Sequence, residues 1–280
     1  MTPDRQEITA HLDLLDTDEE RLLVWLDSFS LFAGERARTN LRLIDEQLQD
    51  RSLLVSIFEL SCSCADPDNA LNVLERLFDV VDTEQLKSVL VDEQQCRSLL
   101  MILGGSPFLS GILCRQKEYF SQLFISADLH KSCHEDEMLA DLRRLVPDGS
   151  DFSRLQQQLR QYKSKQVLRI GSRDLCGLTS LEEVMAELSS LAAACLQRAY
   201  EVCGQQLQKE YGQPLEVIEE GQSQFAEMTV LGMGKFGGNE LNFSSDIDLI
   251  YCYSSIMVKP KVAVAKRKSA CTVILSNWRK

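Results

Sequence analysis

Up to about residue 222 the apolar positions recur at intervals of three and four, the period of helices that bury one face. Leu22, Leu23, Leu26, Phe29 and Phe32 form one such stripe, Leu41, Ile44 and Leu48 a second, and Leu54, Ile57, Phe58 and Leu60 a third. Pro67-Asp68 has the form of a helix entry, followed by Leu71, Leu74, Leu77 and Phe78 on one face. Gly104-Gly105-Ser106-Pro107 and Pro147-Asp148-Gly149-Ser150 read as breaks between helices. The strongest pattern runs from Ser180 to Tyr211. Ser180 and Glu183 have capping-box spacing, and Leu181, Val184, Leu188, Leu191, Cys195, Ala199, Val202 and Leu207 hold one face. Gly212 and Pro214 then stop the helix. No fixed-period repeat is present, so the pattern predicts a helical bundle and not a solenoid.

After Glu220 the period changes. Phe225–Leu231 reads as a strand, Gly232–Gly238 as a glycine-rich loop and Ile247–Tyr253 as a second strand. The expected fold class is α+β: a mostly α-helical bundle over residues 1–222, the start of a sheet domain over 223–256, and a tail over 257–280.

Composition narrows the function classes. With 44% apolar and 26% charged residues the 280-residue chain is that of a globular protein. A net charge of −12 opposes coating of a nucleic-acid backbone, so no nucleic-acid partner is expected. No apolar run spans a bilayer and the polar start lacks a signal peptide, which predicts a cytoplasmic protein with no membrane partner. The ten cysteines show only Cys62-x-Cys64 as a close pair, which favours free thiols over a zinc site. Cys195 and Cys252, on apolar stretches, are expected to act as small hydrophobes.

The chemistry is concentrated in Leu231-Gly-Met-Gly-Lys-Phe-Gly-Gly-Asn-Glu-Leu-Asn-Phe-Ser-Ser-Asp-Ile-Asp-Leu-Ile-Tyr251. On an extended strand Asp246 and Asp248 share a face, about 6–7 Å apart at a rise of ~3.3 Å per residue. Two such carboxylates repel unless a hard cation lies between them, so the pair is a candidate Mg²⁺ seat. Gly234, Lys235, Gly237 and Gly238 are candidates to bring backbone and a positive charge to a phosphate, and Ser244 and Ser245 add hydroxyls. Gly232-x-Gly234-x-x-Gly237 matches a dinucleotide fingerprint, but too few residues follow for its helix. A Walker A loop needs Ser or Thr where Phe236 stands. A plain turn between strands is the bland alternative.

This string resembles the signature of polymerase-β-like nucleotidyltransferases, and in its full length it is similar to that of glutamine synthetase adenylyltransferases. Asn69-Ala-Leu-Asn-Val-Leu-Glu-Arg76, Leu103-Gly-Gly-Ser-Pro-Phe-Leu109 and Leu168-Arg-Ile-Gly-Ser-Arg-Asp-Leu175 resemble the same family upstream, so the likeness covers roughly residues 60–254. It implies the N-terminal part of a bifunctional enzyme with two tandem nucleotidyltransferase domains. The first removes AMP from a tyrosine of glutamine synthetase by phosphorolysis to ADP. The second adds AMP from ATP and responds to glutamine and PII regulatory proteins. The resemblance further implies two Mg²⁺ sites in the complete enzyme, with Asp246 and Asp248 as metal ligands and catalytic groups. Gly234, Lys235, Ser244 and Ser245 would hold phosphate.

Arg169 and Arg173, with Arg160, Lys163 and Lys165, form a basic island. A solvated, salt-bridged surface is expected there, with a phosphate-facing role as the alternative. The family's third carboxylate is not visible. Residues 257–280 hold seven Lys/Arg and no Asp or Glu. Back-translation of Cys271-Thr-Val-Ile-Leu-Ser-Asn-Trp-Arg-Lys280, read two bases later, gives His-Arg-Tyr-Phe-Ile-Lys-Leu-Ala-Glu, which looks like the family's next helix. The expectation is a frameshifted tail and an inactive truncated chain. Two alternatives stand: a transferase resembling PII uridylyltransferases, and a non-catalytic helical module that grips glutamine synthetase.

Overall fold

The computed structural model describes residues 4–29, 32–219, 222–254 and 258–259. They divide into two compact units, residues 1–131 with 168–179 and residues 132–167 with 180–280. The frameshift expected over 257–280 lies outside the described residues except at Val258–Lys259.

The first unit is helical: α1 (Arg5–Leu12), α2 (Glu19–Asp27), α3 (Gly34–Leu48), α4 (Arg51–Ser61), α5 (Pro67–Val80), α6 (Thr83–Val91), α7 (Glu93–Gly105), α8 (Pro107–Arg115) and α9 (Lys117–Phe120). The helix starts carry much of the acidic charge. Asp4, Asp18, Asp50, Asp66, Asp82 and Asp92 each accept a hydrogen bond from the backbone N–H three residues on, as good N-caps do. Leu22, Leu26, Leu41, Ile44, Leu54, Ile57, Phe58, Leu71 and Leu74 are fully buried, so the predicted stripes are the core.

The three upstream stretches of family likeness meet in this unit. Asn69 Nδ2 donates to the Leu103 carbonyl at 2.6 Å, and the Asp66 N–H donates to the Gly104 carbonyl at 3.0 Å. A Cβ at Gly104 would come within 2.7 Å of the Asp66 carbonyl oxygen, so α7 and the start of α5 approach as only glycine permits. Leu109 packs over Gly171, and Leu175 over Gly105. These stretches are therefore packing seams between helices.

In the second unit α10 (Glu135–Leu145) and α12 (Leu181–Tyr211) pack together, and residues 152–167 of α11 (Phe152–Leu175) belong here, its residues 168–175 to the first. Val146, Leu155, Val202 and Cys203 form a buried cluster with Leu159 against it. Ser180 caps α12 by accepting from the Glu183 N–H at 3.2 Å, and Gly212 ends it at φ +80°. Arg198, 2% exposed, ties the Pro147–Ser150 loop to α12. Its guanidinium donates to the Val146 carbonyl at 2.9 and 2.6 Å and pairs with Asp148 at 2.9 Å and Glu201 at 2.6 Å.

The β-structure starts earlier than expected. β1 (Leu215–Glu219) follows α12 almost at once and pairs antiparallel with β2 (Gln222–Phe225) and with β5 (Val258–Lys259). The single strand expected over Phe225–Leu231 is two: β2 ends at Phe225, and β3 (Met228–Gly232) pairs antiparallel with β4 (Leu249–Tyr253). A mostly helical chain closed by small antiparallel sheets is an α+β protein. No single helix among the described residues is long and apolar enough to cross a membrane.

Candidate functional site

β3 leads directly into the glycine-rich segment. Across the β3–β4 pair, Thr229 lies opposite Cys252 and Leu231 opposite Ile250, and all four are exposed. Met228, Val230, Leu249 and Tyr251 occupy the other, half-buried face. The antiparallel pairing rules out a dinucleotide-type crossover, whose two strands run parallel. Cys252 is exposed, so it is no core residue; the two-residue period of β4 puts it on the solvent side.

The loop expected at Gly232–Gly238 holds one helical turn, α13 (Gly234–Gly237). Gly234 begins it at φ +55° in the left-handed region, which favours glycine. A Cβ at Gly232 would lie 2.6 Å from the Phe236 ring, and one at Gly237 would overlap the Gly232 carbonyl oxygen. Gly237 therefore serves the loop's own packing. Gly238 has φ −84°, and a Cβ there would meet nothing nearer than 3.5 Å.

The turn closes with a Schellman arrangement. Glu240 N–H donates to the Lys235 carbonyl at 2.7 Å and Asn239 N–H to the Phe236 carbonyl at 3.2 Å, with Asn239 at φ +59°. Leu241 then plunges inward at 4% exposure, and its N–H donates to Ser189 Oγ of α12 at 3.2 Å. A turn in which the Ser245 N–H reaches the Asn242 carbonyl carries Ser244, exposed, and Ser245, half-buried.

Asp246 and Asp248 precede β4 instead of lying on it. The segment alternates nonetheless: Asp246, Asp248 and Ile250 are exposed, while Ile247 and Leu249 are half-buried. The Met233 N–H donates to the Asp248 carbonyl at 2.9 Å and extends the pairing one step beyond the ladder. Both carboxylates thus fall on the solvent side, as does Lys235. Two carboxylates alone make an incomplete protein cage, and no group of three His, Cys, Asp or Glu side chains suited to a metal exists among the described residues. Such a donor pair suits a hard divalent cation that takes its remaining ligands from phosphate and water, and does not suit a soft metal.

On the opposite, half-buried face a cleft of about 550 Å³ separates β3 from α12. Met228, Val230 and Phe236 line one wall and Leu196, Gln197 and Tyr200 the other. Tyr200 OH donates to the Met228 carbonyl at 3.3 Å across it. The cleft was not legible in the sequence, since it needs a helix and a strand far apart in the chain.

Two of the five members of the basic island are buried and not solvated. Arg169 and Arg173 are 4% and 5% exposed, and Arg169 Nη1 donates to the Lys131 carbonyl at 2.6 Å. Their shared helix face turns inward. Arg160 is exposed, and Lys163 and Lys165 are half-buried.

These features define an α+β protein whose β-ribbon presents a glycine-rich turn and paired carboxylates to solvent. A model of the glutamate-ammonia ligase adenylyltransferase family matches residues 96–273. The chain belongs to that family. It is 36% identical over 193 residues to a bifunctional glutamine synthetase adenylyltransferase/adenylyl-removing enzyme of Shewanella frigidimarina, covering 68% of this chain and 19% of the relative. Enzymes of the same name from Thioalkalivibrio sulfidiphilus and Pseudomonas aeruginosa are 32% identical over 182 residues and 33% over 161, covering 65% and 58% of this chain and 18% and 16% of the relatives. The chain spans less than a fifth of the length of these relatives.

Proposed function

We propose that the segment from Gly232 to Asp248 is the phosphate- and metal-binding element of a nucleotidyltransferase domain that removes AMP from a tyrosine of glutamine synthetase. The observation that carries this reading is the placement of Asp246 and Asp248 on the solvent side, directly after a serine turn and beside the α13 turn. Gly234, Lys235, Ser244 and Ser245 hold the phosphate groups in this reading, with the exposed Lys235 ammonium opposing their charge. Asp246 and Asp248 would hold Mg²⁺, two ions in the complete enzyme, which would supply positive charge to offset that on the transferring phosphate.

The reaction is a phosphorolysis. An oxygen of inorganic phosphate forms a bond to the AMP phosphorus, the bond from that phosphorus to the tyrosine oxygen breaks, and the oxygen takes up a proton. ADP and unmodified tyrosine are the products. Such transfers depend mainly on positioning and charge stabilisation, which a loop tied to α12 at Leu241 would supply. The reverse modification, from ATP, belongs to the second domain of the longer enzyme, and PII proteins act as its regulators.

In this reading Asp246 and Asp248 suffice to bind metal and nucleotide, and turnover needs the third carboxylate that the family resemblance implies. The test pairs this chain with a version whose reading frame continues past residue 254 into a third acidic strand. Each is incubated with adenylylated glutamine synthetase, phosphate and Mg²⁺. ADP release by the extended version alone is expected. Release by the 280-residue chain contradicts the need for a third carboxylate, and release by neither contradicts the assignment.

A further inference from the structure

Between Gly232 and Asp248 a single residue, Leu241, is buried. Every other residue of the candidate site is exposed or half-buried, so between its two held ends the loop turns inward at one point. There it meets a serine in mid-helix. Ser189, 3% exposed, donates its hydroxyl proton to the Met185 carbonyl of α12 at 2.8 Å and accepts the Leu241 N–H at 3.2 Å. A serine hydroxyl has one proton to give and two lone pairs to receive, so one side chain serves both partners. Bonding back to the carbonyl four residues earlier slightly disfavours a helix, and serine is a weaker helix former than alanine.

We infer that Ser189 is a positioning residue: it fixes the Leu241 backbone to α12 and thereby sets where Ser244, Ser245, Asp246 and Asp248 stand relative to the α13 turn. Upstream, the Schellman turn holds Asn239 and Glu240 to Lys235 and Phe236; downstream, the Asp248 carbonyl is held by Met233. The stretch from Leu241 to Ile247 has only its own turn bond besides the tie to Ser189 among the backbone bonds described. Without the tie, the serines and the first carboxylate lose their common register, although the ends of the loop remain in place.

The inference rests on the nucleotide-binding reading above, and the experiment separates the two. Amide hydrogen exchange and Mn²⁺-dependent ADP binding are measured on the 280-residue protein, on Ser189→Ala and on Ser189→Thr, which keeps the hydroxyl. In the unmutated protein the Leu241 amide is expected to exchange as slowly as the amides of the β3–β4 ladder, a result that needs no variant to fold. Ser189→Ala is expected to speed exchange over residues 241–246, spare β3 and β4, and weaken binding about threefold to tenfold, the effect of one lost hydrogen bond. Ser189→Thr is expected to restore both. A fast Leu241 amide in the unmutated protein, or exchange or affinity unmoved in Ser189→Ala, overturns the positioning role. Absence of metal-dependent ADP binding in the unmutated protein overturns the nucleotide reading itself, and the positioning role with it.

Discussion

Gly237 sits so close above Gly232 that a Cβ on residue 237 would overlap the Gly232 carbonyl oxygen. The two glycines fold the α13 turn back onto the end of β3. The motif's glycines thus differ in purpose: some shape the turn, and others leave its outer side open. Replacing Gly237 by alanine must displace backbone, and should cost about 1–3 kcal/mol of stability, the usual penalty of overpacking. Gly238, with ordinary helical torsion and no atom nearer than 3.5 Å to an added Cβ, should accept alanine with little change. Urea denaturation of the two variants side by side checks the contrast, and equal losses would refute it.

The Arg198 anchor should govern the second unit's stability. Arg198→Met keeps much of the side chain's bulk but strips two hydrogen bonds from the Val146 carbonyl and leaves Glu201 and Asp148 without this partner. Breaking a buried, hydrogen-bonded pair from one side costs about 3–5 kcal/mol, of which the lower end is expected because Asp148 is solvent-exposed. Chemical denaturation followed by circular dichroism measures it.

Acid should loosen the same region. Hydrogen bonding from Arg143, then from Arg198 and Gln197, holds the Glu201 carboxyl at about 2, well below its ordinary 4.5. A carboxylate depressed in the folded state contributes stability above the unfolded value and loses it as pH falls through the folded one. The stability gap between the unmutated protein and Glu201→Gln should therefore be constant above pH 4.5 and close between 4.5 and about 2. A gap that widens on acidification would reverse the assignment.

The thiols should separate cleanly by burial. Desolvation pushes Cys96 and Cys195 up to about 12 and Cys62 and Cys64 to about 11, so each is protonated and unreactive near neutrality. Cys252 is exposed on β4. Timed alkylation of the folded protein with peptide mapping should modify Cys252 before any of these four, and the reverse order would contradict the burial described.

Much of the helical architecture was legible because period carries it: the stripes at Leu22, Leu41, Leu54 and Leu71 all became core. What spacing cannot say is which way a polar face turns. Arg169 and Arg173 share a face at four-residue spacing whether that face is wet or dry, and only the packing of α11 makes it dry. β1 was missed because Leu215–Glu219 is short and follows a helix stop closely. Asp246 and Asp248 were read onto a strand that starts at Leu249. Their alternation is extended, but the chain opposite them has already turned into α13, so beyond Met233 no ladder partner remains. The contact of Gly237 with Gly232 was not legible, because a glycine motif shows where side chains are absent and not what takes the space.

The central claim is that Asp246 and Asp248 seat a divalent ion shared with a nucleotide's phosphates. Isothermal titration of ADP into the 280-residue protein, with Mg²⁺ and with chelator, tests it most directly, alongside Asp246→Asn and Asp248→Asn. Both carboxylates are solvent-exposed, so the variants should fold as the parent does. The account predicts binding that requires Mg²⁺ and falls at least tenfold in either variant, on the order of the loss of one metal ligand. Equal ADP binding with chelator, or variants that bind as the parent does, would contradict it.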